Sequence, residues 1–234
     1  MKVVILAGGF GTRFAEKTSE LPKPLIEIGG KPIIWHLMKT YAQQGFTDFV
    51  LALGYKGDQI QQFMAKNVPH DWNVSCVDTG LHTQTGGRIH RLADEIGQHP
   101  FMLTYADGLS NIDFCELLAF HKAHGKLATV TAVHPPPKYG WLEMDGAQVV
   151  SFQEKQVLTE VWISGGYFVL EPDVLNFIDD DDTSWEASPL QTLATQGELM
   201  AYQHEDFWRC MDTAQEHQIL ETMWSRGTPP WKTW

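Results

Sequence analysis

A glycine-rich segment with one cation directly follows the first apolar run of the chain. Glycine lets backbone N–H groups approach a polyphosphate closely, and an arginine can donate to two phosphate oxygens. The segment lacks the Lys-Ser/Thr ending of a Walker A loop and the third glycine of a dinucleotide-binding fingerprint. It predicts phosphate binding of another kind, and the alternative is an ordinary strand-to-loop turn. Its residues are Leu6, Ala7, Gly8, Gly9, Gly11, Thr12 and Arg13.

Three other residues supply the charges that chemistry on phosphates needs. Lys23 stands between Pro22 and Pro24, which restrict the backbone from which its long side chain leaves. Asp107 follows an apolar run and precedes a glycine, and Asp212 precedes the last predicted helix. Two such carboxylates can hold Mg²⁺, which binds through one or two protein carboxylates together with substrate phosphates. The alternatives are a stiff surface loop at Lys23 and a helix N-cap at Asp212.

The elements that must position these residues alternate between apolar strands and amphipathic helices. Strands are predicted at residues 3–7, 49–53, 74–77, 101–105 and 128–133, and helices at residues 32–44, 58–66, 87–96 and 114–124. Short links between alternating strands and helices favour an α/β fold with a mostly parallel sheet covered by helices. Ligands bind such sheets outside the carboxyl ends of the strands. We therefore expect the glycine-rich segment and Asp107 to face one pocket.

The second part of the chain is predicted to be a β-rich elaboration of the same sheet. Strands are predicted at residues 141–144, 149–154 and 162–170, and helices at residues 184–195 and 214–226. Residues 183–186 have the spacing of a capping box, which predicts the start of the first of these helices. The glycine pair within the strand at 162–170 indicates a bulge or a close approach of a ligand.

Composition excludes several classes of partner and site. The chain has 234 residues, and its 29 acidic and 17 basic side chains give a net charge of -12. Nucleic acids are held mainly by Lys and Arg, so a nucleic-acid partner is not expected. Three cysteines without disulfide or zinc spacing favour a reducing cytoplasm, and the apolar runs are too short for a signal peptide or a membrane span. We interpret His121 and His124 as a surface pair, and the acidic run at 179–182 as a solvated turn.

Ordered motifs along nearly the whole chain resemble those of the glucose-1-phosphate cytidylyltransferases, a family of sugar-phosphate nucleotidyltransferases. The motifs are LAGGFGTR, PKPLIEIGGKPIIWHLM, GYKGDQI, TGGRIHR, FHKAHGKLATVTAV, SFQEK, GGYFVL and MDT. The resemblance implies an enzyme that transfers a cytidylyl group from CTP to a sugar 1-phosphate, α-D-glucose 1-phosphate above all, with Mg²⁺ as cofactor. It implies a Rossmann-like fold in one domain spanning residues 1–234, with a nucleotide-binding part at 1–133 and a sugar-phosphate-binding part at 134–234. It also implies a homo-oligomer.

The resemblance also assigns site residues, motif by motif. The catalytic residues would be Arg13, Lys23, Asp107 and Asp212, and the two aspartates would bind the metal. The nucleotide would be held by Leu6, Ala7, Gly8, Gly9, Gly11, Thr12, Arg13, Thr83, Arg88 and Ala106. The sugar phosphate would be held by Tyr139, Trp141, Glu154, Lys155, Ser164 and Gly166.

The chain departs from the family pattern mainly where the sugar is expected. Ser164 stands where the family usually has an asparagine, and Trp141 where it tends to have a small residue. These changes predict an altered sugar pocket, and a shorter segment between residues 66 and 73 bears on the oligomeric assembly. Two alternatives stay open: another nucleoside triphosphate or phosphorylated acceptor, and a non-catalytic sensor of nucleotide or sugar phosphate. The joint presence of the two cations and the two aspartates favours the enzyme.

Overall fold

The computed structural model describes residues 1–14, 18, 20–136, 139–154 and 160–234. Within these ranges the strands are β1 (Lys2–Leu6), β2 (Glu27–Ile28), β3 (Lys31–Pro32), β4 (Asp48–Leu53), β5 (Asn73–Asp78), β6 (Phe101–Tyr105), β7 (Gly108–Ser110), β8 (Ala128–Val133), β9 (Trp141–Asp145), β10 (Gln148–Gln153), β11 (Ile163–Leu170), β12 (Leu199–His204) and β13 (Trp208–Cys210). The helices are α1 (Ile33–Gln43), α2 (Gly57–Asn67), α3 (Thr85–Arg91), α4 (Ala93–Ile96), α5 (Phe114–His124), α6 (Ser188–Thr195) and α7 (Ala214–Ser225). Short 3-10 helices lie at Thr12–Phe14, Lys23–Leu25 and Pro172–Phe177.

A seven-stranded sheet in the order β12-β8-β11-β6-β1-β4-β5 lies at the centre of the fold. Of these strands only β11 runs antiparallel to its neighbours. In β1, Val3 and Ile5 pack into one apolar cluster with α1, α2, α5 and α7, while Val4 and Leu6 pack into a second cluster with α3, α4 and α6. Both faces are therefore covered, which explains why the strand is apolar at successive positions rather than at alternate ones. The predicted α/β class is confirmed.

The carboxyl ends of β1 and β6 meet at one edge of the sheet. The two strands are parallel neighbours, with Leu6 opposite Tyr105, and the backbone N–H of Ala106 donates to Leu6 O at 3.2 Å. The chain therefore leaves β1 into the glycine-rich loop and leaves β6 into Asp107 at adjacent positions. This is the placement that the sequence predicts.

The second part of the chain differs from the prediction in two respects. β11 and β12 do join the central sheet, but β9 and β10 form a separate two-stranded hairpin. The predicted helix at 184–195 begins only at Ser188, after Ala187, which supplies no side-chain cap. The predicted capping box is therefore wrong, because Glu186 accepts hydrogen bonds from Ser184 Oγ and Thr85 Oγ1 instead. In the first part of the chain, the predicted helix at 87–96 is two short helices, α3 and α4, which meet at Leu92.

Two smaller expectations are also corrected. His121 is buried rather than on the surface, since Nδ1 of its ring lies 2.8 Å from Thr129 Oγ1, and His124 bonds to the same hydroxyl. The N-cap of α7 is Thr213 rather than Asp212. None of the helices in the described part of the chain has the length and apolar content needed to cross a membrane.

Candidate active site

The loop after β1 forms one wall of a cavity of about 300 Å³. All ten residues predicted to hold the nucleotide line it, and so do Lys23 and Asp107. Gly11 has a φ of +64°, and a Cβ on it would come within 2.9 Å of the Thr18 side chain. Glycine is therefore required at this position, because other residues rarely adopt such a backbone conformation. The loop can turn sharply here and keep its backbone close to a ligand in the cavity.

Arg88 lines the same cavity, but its guanidinium already has several partners. It donates to the carbonyl oxygens of Leu53, Gly80 and Gly8 and to Thr79 Oγ1, at distances of 2.8 to 3.1 Å. These acceptors follow or end three neighbouring strands, and burial lowers the pKa of the guanidinium. Arg88 thus ties the ends of β1, β4 and β5 together, and this contribution to the nucleotide cavity was not foreseen from the sequence.

The four predicted catalytic residues meet in one cluster of charges. Lys23 Nζ lies 2.5 Å from Asp107 Oδ2 and 2.6 Å from Asp212 Oδ1. Arg13 Nη1 lies 2.6 Å from Asp212 Oδ2, and the Arg13 side chain is 75% exposed. The four residues come from the loop after β1, the Pro-Lys-Pro segment, the turn after β6 and the segment between β13 and α7. The fold brings together what the sequence separates by up to 199 positions.

Burial and charge oppose one another within this cluster. Burial by itself would raise the pKa of the Asp212 carboxyl, but the hydrogen bond and charge of Lys23, with the charge of Arg13, hold that pKa below its usual range. Burial would lower the pKa of Lys23, yet its two carboxylate partners raise it. Lys23 and Asp212 are therefore kept in their charged forms.

The carboxylates of Asp107 and Asp212 fit a cation such as Mg²⁺. Oxygens of both already converge on one positive group, the Lys23 ammonium. Mg²⁺ prefers oxygen ligands and is usually bound through one or two carboxylates, which is the set available here. The flexible stem of Lys23 would allow its ammonium to leave these oxygens if a metal ion were bound there.

A third acidic residue, Glu216, fixes the backbone of Asp212. Ligand atoms of Cys210, Asp212 and Glu216 lie within 4.8 Å of one another. The Glu216 carboxylate, however, accepts the backbone N–H of Asp212 at 2.7 Å, and the Glu216 N–H donates to Thr213 Oγ1 at 3.2 Å. This reciprocal pattern caps α7, as in a capping box. We therefore assign Glu216 to the positioning of Asp212 and not to the metal.

A second cavity of about 410 Å³ adjoins the first and shares Arg13, Tyr105 and Asp107 with it. The predicted sugar residues Ser164 and Gly166 line it from β11, and Asp212 lines it from the charge cluster. Gly165, the other member of the glycine pair, also lines it, and the residues that sequence reasoning missed are Thr104, Tyr105, Gly108, Glu186, Trp208 and Cys210. The register of β11 against β8 shifts between Ser164 and Phe168, which confirms the bulge predicted at the glycine pair.

Four other predicted sugar residues are not brought to this cavity by the described structure. Tyr139 and Trp141, at the hairpin, are 83% and 49% exposed. They line neither of the two cavities, and the same holds for Glu154 at the other end of the hairpin. Lys155 lies outside the described residues. A role for these four in sugar binding, and an altered pocket due to Trp141, stay predictions.

Comparison with known proteins connects this geometry to a family. A family model described as "Nucleotidyl transferase" matches residues 2–223. A glucose-1-phosphate cytidylyltransferase of Salmonella typhi is 46% identical over 256 residues, covering all of both chains. The chain belongs to the glucose-1-phosphate cytidylyltransferase family of nucleotidyl transferases. A probable glucose-1-phosphate cytidylyltransferase of Bacillus subtilis is 39% identical over 255 residues, again covering all of both chains.

A solved structure supports the fold of this cytidylyltransferase-family chain. The crystal structure of HddC from Yersinia pseudotuberculosis, complexed with GMP-PN, superposes with a TM-score of 0.76 at 24% identity. The match covers 95% of this chain and 99% of that one. The predicted nucleotidyltransferase fold and the predicted class of enzyme, a sugar-1-phosphate nucleotidyltransferase, are confirmed.

The match to the cytidylyltransferases also bears on the predicted shorter segment. The alignment with the Salmonella relative runs over 256 residues, more than the 234 of this chain, although it covers both chains completely. The relative therefore carries residues that this chain lacks. Here α2 is joined to β5 directly through residues 68–72. That the missing residues belong to this link, between residues 66 and 73, stays a prediction.

Proposed function

We propose that the protein transfers the cytidylyl group of CTP to a sugar 1-phosphate, α-D-glucose 1-phosphate above all, forming a CDP-sugar and pyrophosphate. The observation that carries this proposal is the cluster of Arg13, Lys23, Asp107 and Asp212 at the junction of two cavities. The choice of CTP and glucose 1-phosphate is supported by the 46% identity to the Salmonella relative.

The two cavities suit the two substrates. The first is lined by residues between 6 and 107, among them the glycine-rich loop after β1 and the cations Arg13 and Lys23, which suits a triphosphate. The second adds Ser164, Gly166 and Trp208, whose hydrogen-bonding groups and ring suit a sugar. This supports the division of the single domain near residue 133, with the amendment that Tyr105 and Asp107 belong to both substrate sites.

The reaction requires positioning and compensation of charge more than covalent work by the protein. An oxygen of the sugar phosphate forms a new bond to the α-phosphorus of CTP while the bond from that phosphorus to the bridging oxygen breaks. The departing pyrophosphate takes the electron pair. The attacking phosphate oxygen is already ionised at neutral pH, so no side chain has to remove a proton. Arg13 and Lys23 hold the phosphates in line and offset their negative charge.

We further propose Mg²⁺ as the cofactor, held by Asp107 and Asp212. When bound, the metal supplies a Lewis acid to the phosphate oxygens. Lys23, now shared between the two carboxylates, would then turn its ammonium toward a phosphate. The support for this proposal is the convergence of both carboxylates on one cation.

The experiment that tests the function is pyrophosphate release by the purified protein with Mg²⁺. CTP, UTP, dTTP, ATP and GTP are each paired with a panel of sugar 1-phosphates that includes glucose. We expect the highest kcat/KM with CTP and glucose 1-phosphate. Release with another pair alone would replace the proposed substrates. No release with any pair, together with tight nucleotide binding in calorimetry, would favour the sensor.

A further inference from the structure

We propose that Glu186 binds a hydroxyl group of the sugar and thereby selects against sugar 1-phosphates that lack this hydroxyl. The inference rests on the proposed function and deepens it, because it names a specificity-determining residue. The sequence motifs give no role of this kind to Glu186. The structure places its carboxylate in the wall of the second cavity, beside Tyr105.

The Glu186 carboxylate is held by three hydroxyl groups from three segments of the chain. One of its oxygens, Oε1, accepts a hydrogen bond from Tyr105 Oη. The other, Oε2, accepts from Thr85 Oγ1 at 2.6 Å and from Ser184 Oγ at 2.7 Å. A side chain fixed by three donors loses little further freedom when it binds a ligand, which is the condition for a precise contact.

The hydroxyl donors are divided unequally between the two oxygens of the carboxylate. Oε1 accepts from one hydroxyl and Oε2 from two, so of the about four acceptor positions of an ionised carboxylate, the one that the hydroxyls leave is on Oε1. Burial would raise the pKa of Glu186, but the hydrogen bonds from Thr85, Tyr105 and Ser184, together with one from the backbone N–H of Glu186 itself, outweigh it and hold the pKa below its usual range. The group is therefore an anion that can only accept, so a ligand group that binds it must be a hydrogen-bond donor.

The charge of Glu186 decides which part of the ligand it meets. A second anion such as a phosphate would be repelled, and the cations that suit a phosphate, Arg13 and Lys23, lie in the charge cluster. A sugar ring carries several O–H donors and no charge, so it is the part of the substrate that fits a carboxylate. Tyr105, which fixes Glu186, also limits the space at Gly166, where a Cβ would come within 2.7 Å of its ring.

A structural role is the alternative, and it makes a different prediction. Glu186 lies beside Trp185, whose backbone N–H donates to Thr85 Oγ1 at 2.9 Å, so the carboxylate also helps to hold this turn against α3. If that were the whole role of Glu186, loss of its carboxylate would weaken the binding of all sugar 1-phosphates alike. A direct hydrogen bond to one hydroxyl predicts instead a loss that depends on that hydroxyl.

The test compares wild type and Glu186→Gln with glucose 1-phosphate and its 2-, 3-, 4- and 6-deoxy analogues, at saturating CTP. For the wild type we expect one analogue to raise KM about ten- to hundredfold, the usual effect of losing a hydrogen bond to a charged group. Glu186→Gln should raise the KM for glucose 1-phosphate by a similar factor. For the Glu186→Gln variant, the KM for that analogue should be little higher than its KM for glucose 1-phosphate. The KM for CTP should change less than twofold.

Controls separate this inference from folding and from the proposed function. Glu205→Gln changes an exposed carboxylate outside both cavities and should leave every KM unaltered. The analogue series on the wild type needs no variant. The inference can therefore still be contradicted if the Glu186→Gln protein is unstable. Equal losses with all analogues, or an unchanged KM in Glu186→Gln, would overturn the inference while the enzyme still turns over. A wild type that neither turns over nor binds any sugar 1-phosphate in calorimetry would overturn the proposed function and the inference together.

Discussion

Asp107 and Asp212 share the Lys23 ammonium, and at the scale of single residues this contact leads to a prediction about metal binding. Asp107→Asn and Asp212→Asn each remove one of the two charges that would hold Mg²⁺. We expect the Mg²⁺ concentration for half-maximal activity to rise about tenfold or more in each variant, because too few charged ligands remain. The measurement is a Mg²⁺ titration of pyrophosphate release, with the exposed Asp173→Asn as the control. Wild-type Mg²⁺ dependence in both variants would refute the metal assignment.

The residues that sequence reasoning found and missed differ in how they are connected. Arg13, Lys23, Asp107 and Asp212 stand in short local patterns of glycine, proline and charge, so the sequence predicts them. Glu186 is bonded to Tyr105 and Thr85, which lie 81 and 101 positions away. Its local pattern predicts a carboxylate that caps a helix, whereas the structure shows it bonded to the hydroxyl groups of Tyr105, Thr85 and Ser184. Long-range hydrogen bonds of this kind leave no periodic trace in a single sequence.

At the scale of elements, β1, α1, β4, α2, α5 and β8 follow the predicted pattern because apolar periodicity and turn residues agree there. The prediction of elements fails where contacts between distant parts of the chain determine the secondary structure. β12 was not predicted, since its residues Leu199–His204 are mostly polar or exposed and pair along one edge with β8. β7 and β13 are three residues long and depend on each other for their hydrogen bonds. Neither can be recognised from its own sequence.

One helix, α1, contains a buried histidine that makes the packing of the chain sensitive to acid. His36 Nε2 donates to Ile28 O at 2.8 Å, and its ring contacts Trp224 of α7 and Trp231. Burial lowers the pKa of His36, and the surrounding carbonyl groups and Glu221 only partly compensate, with Lys232 adding to the lowering. In the unfolded chain His36 therefore takes up a proton near pH 6.5, whereas in the folded chain it does so only at lower pH. The contribution of neutral His36 to the free energy of unfolding is fully present above pH 6.5 and decreases as the pH falls below that value.

The measurement is the midpoint of thermal unfolding, followed by tryptophan fluorescence, at pH 7.5 and pH 5.5. We expect wild type to lose several degrees on acidification, and His36→Gln to start lower at pH 7.5 but to lose fewer degrees. His99→Gln, at an exposed position, serves as the matched control and should behave as wild type. An equal acid-induced loss in wild type and His36→Gln would show that His36 does not carry the effect.

At the scale of the whole molecule, the last residues of the chain connect elements that are far apart in sequence. Trp231 is fully buried and contacts His36 of α1, Trp224 of α7 and Phe207 before β13. Asp212 lies between β13 and α7, so the contacts of Trp231 with Phe207 and Trp224 are on the two chain segments that flank it. The homo-oligomer expected from the sequence stays a prediction, but within one chain the terminal segment already supports the frame of the active site.

Removing the Trp231 side chain should therefore weaken the whole fold. Trp231→Ala leaves a large cavity among aromatic rings, and we expect the free energy of unfolding to fall by about 3–5 kcal/mol. Trp141→Ala is the matched control, because Trp141 is 49% exposed on the hairpin and its loss should change the free energy of unfolding by less than about 1 kcal/mol. Urea unfolding followed by circular dichroism measures both values. Equal and small changes in the two variants would mean that the terminal segment is held only loosely, and that the active-site frame is stable without it.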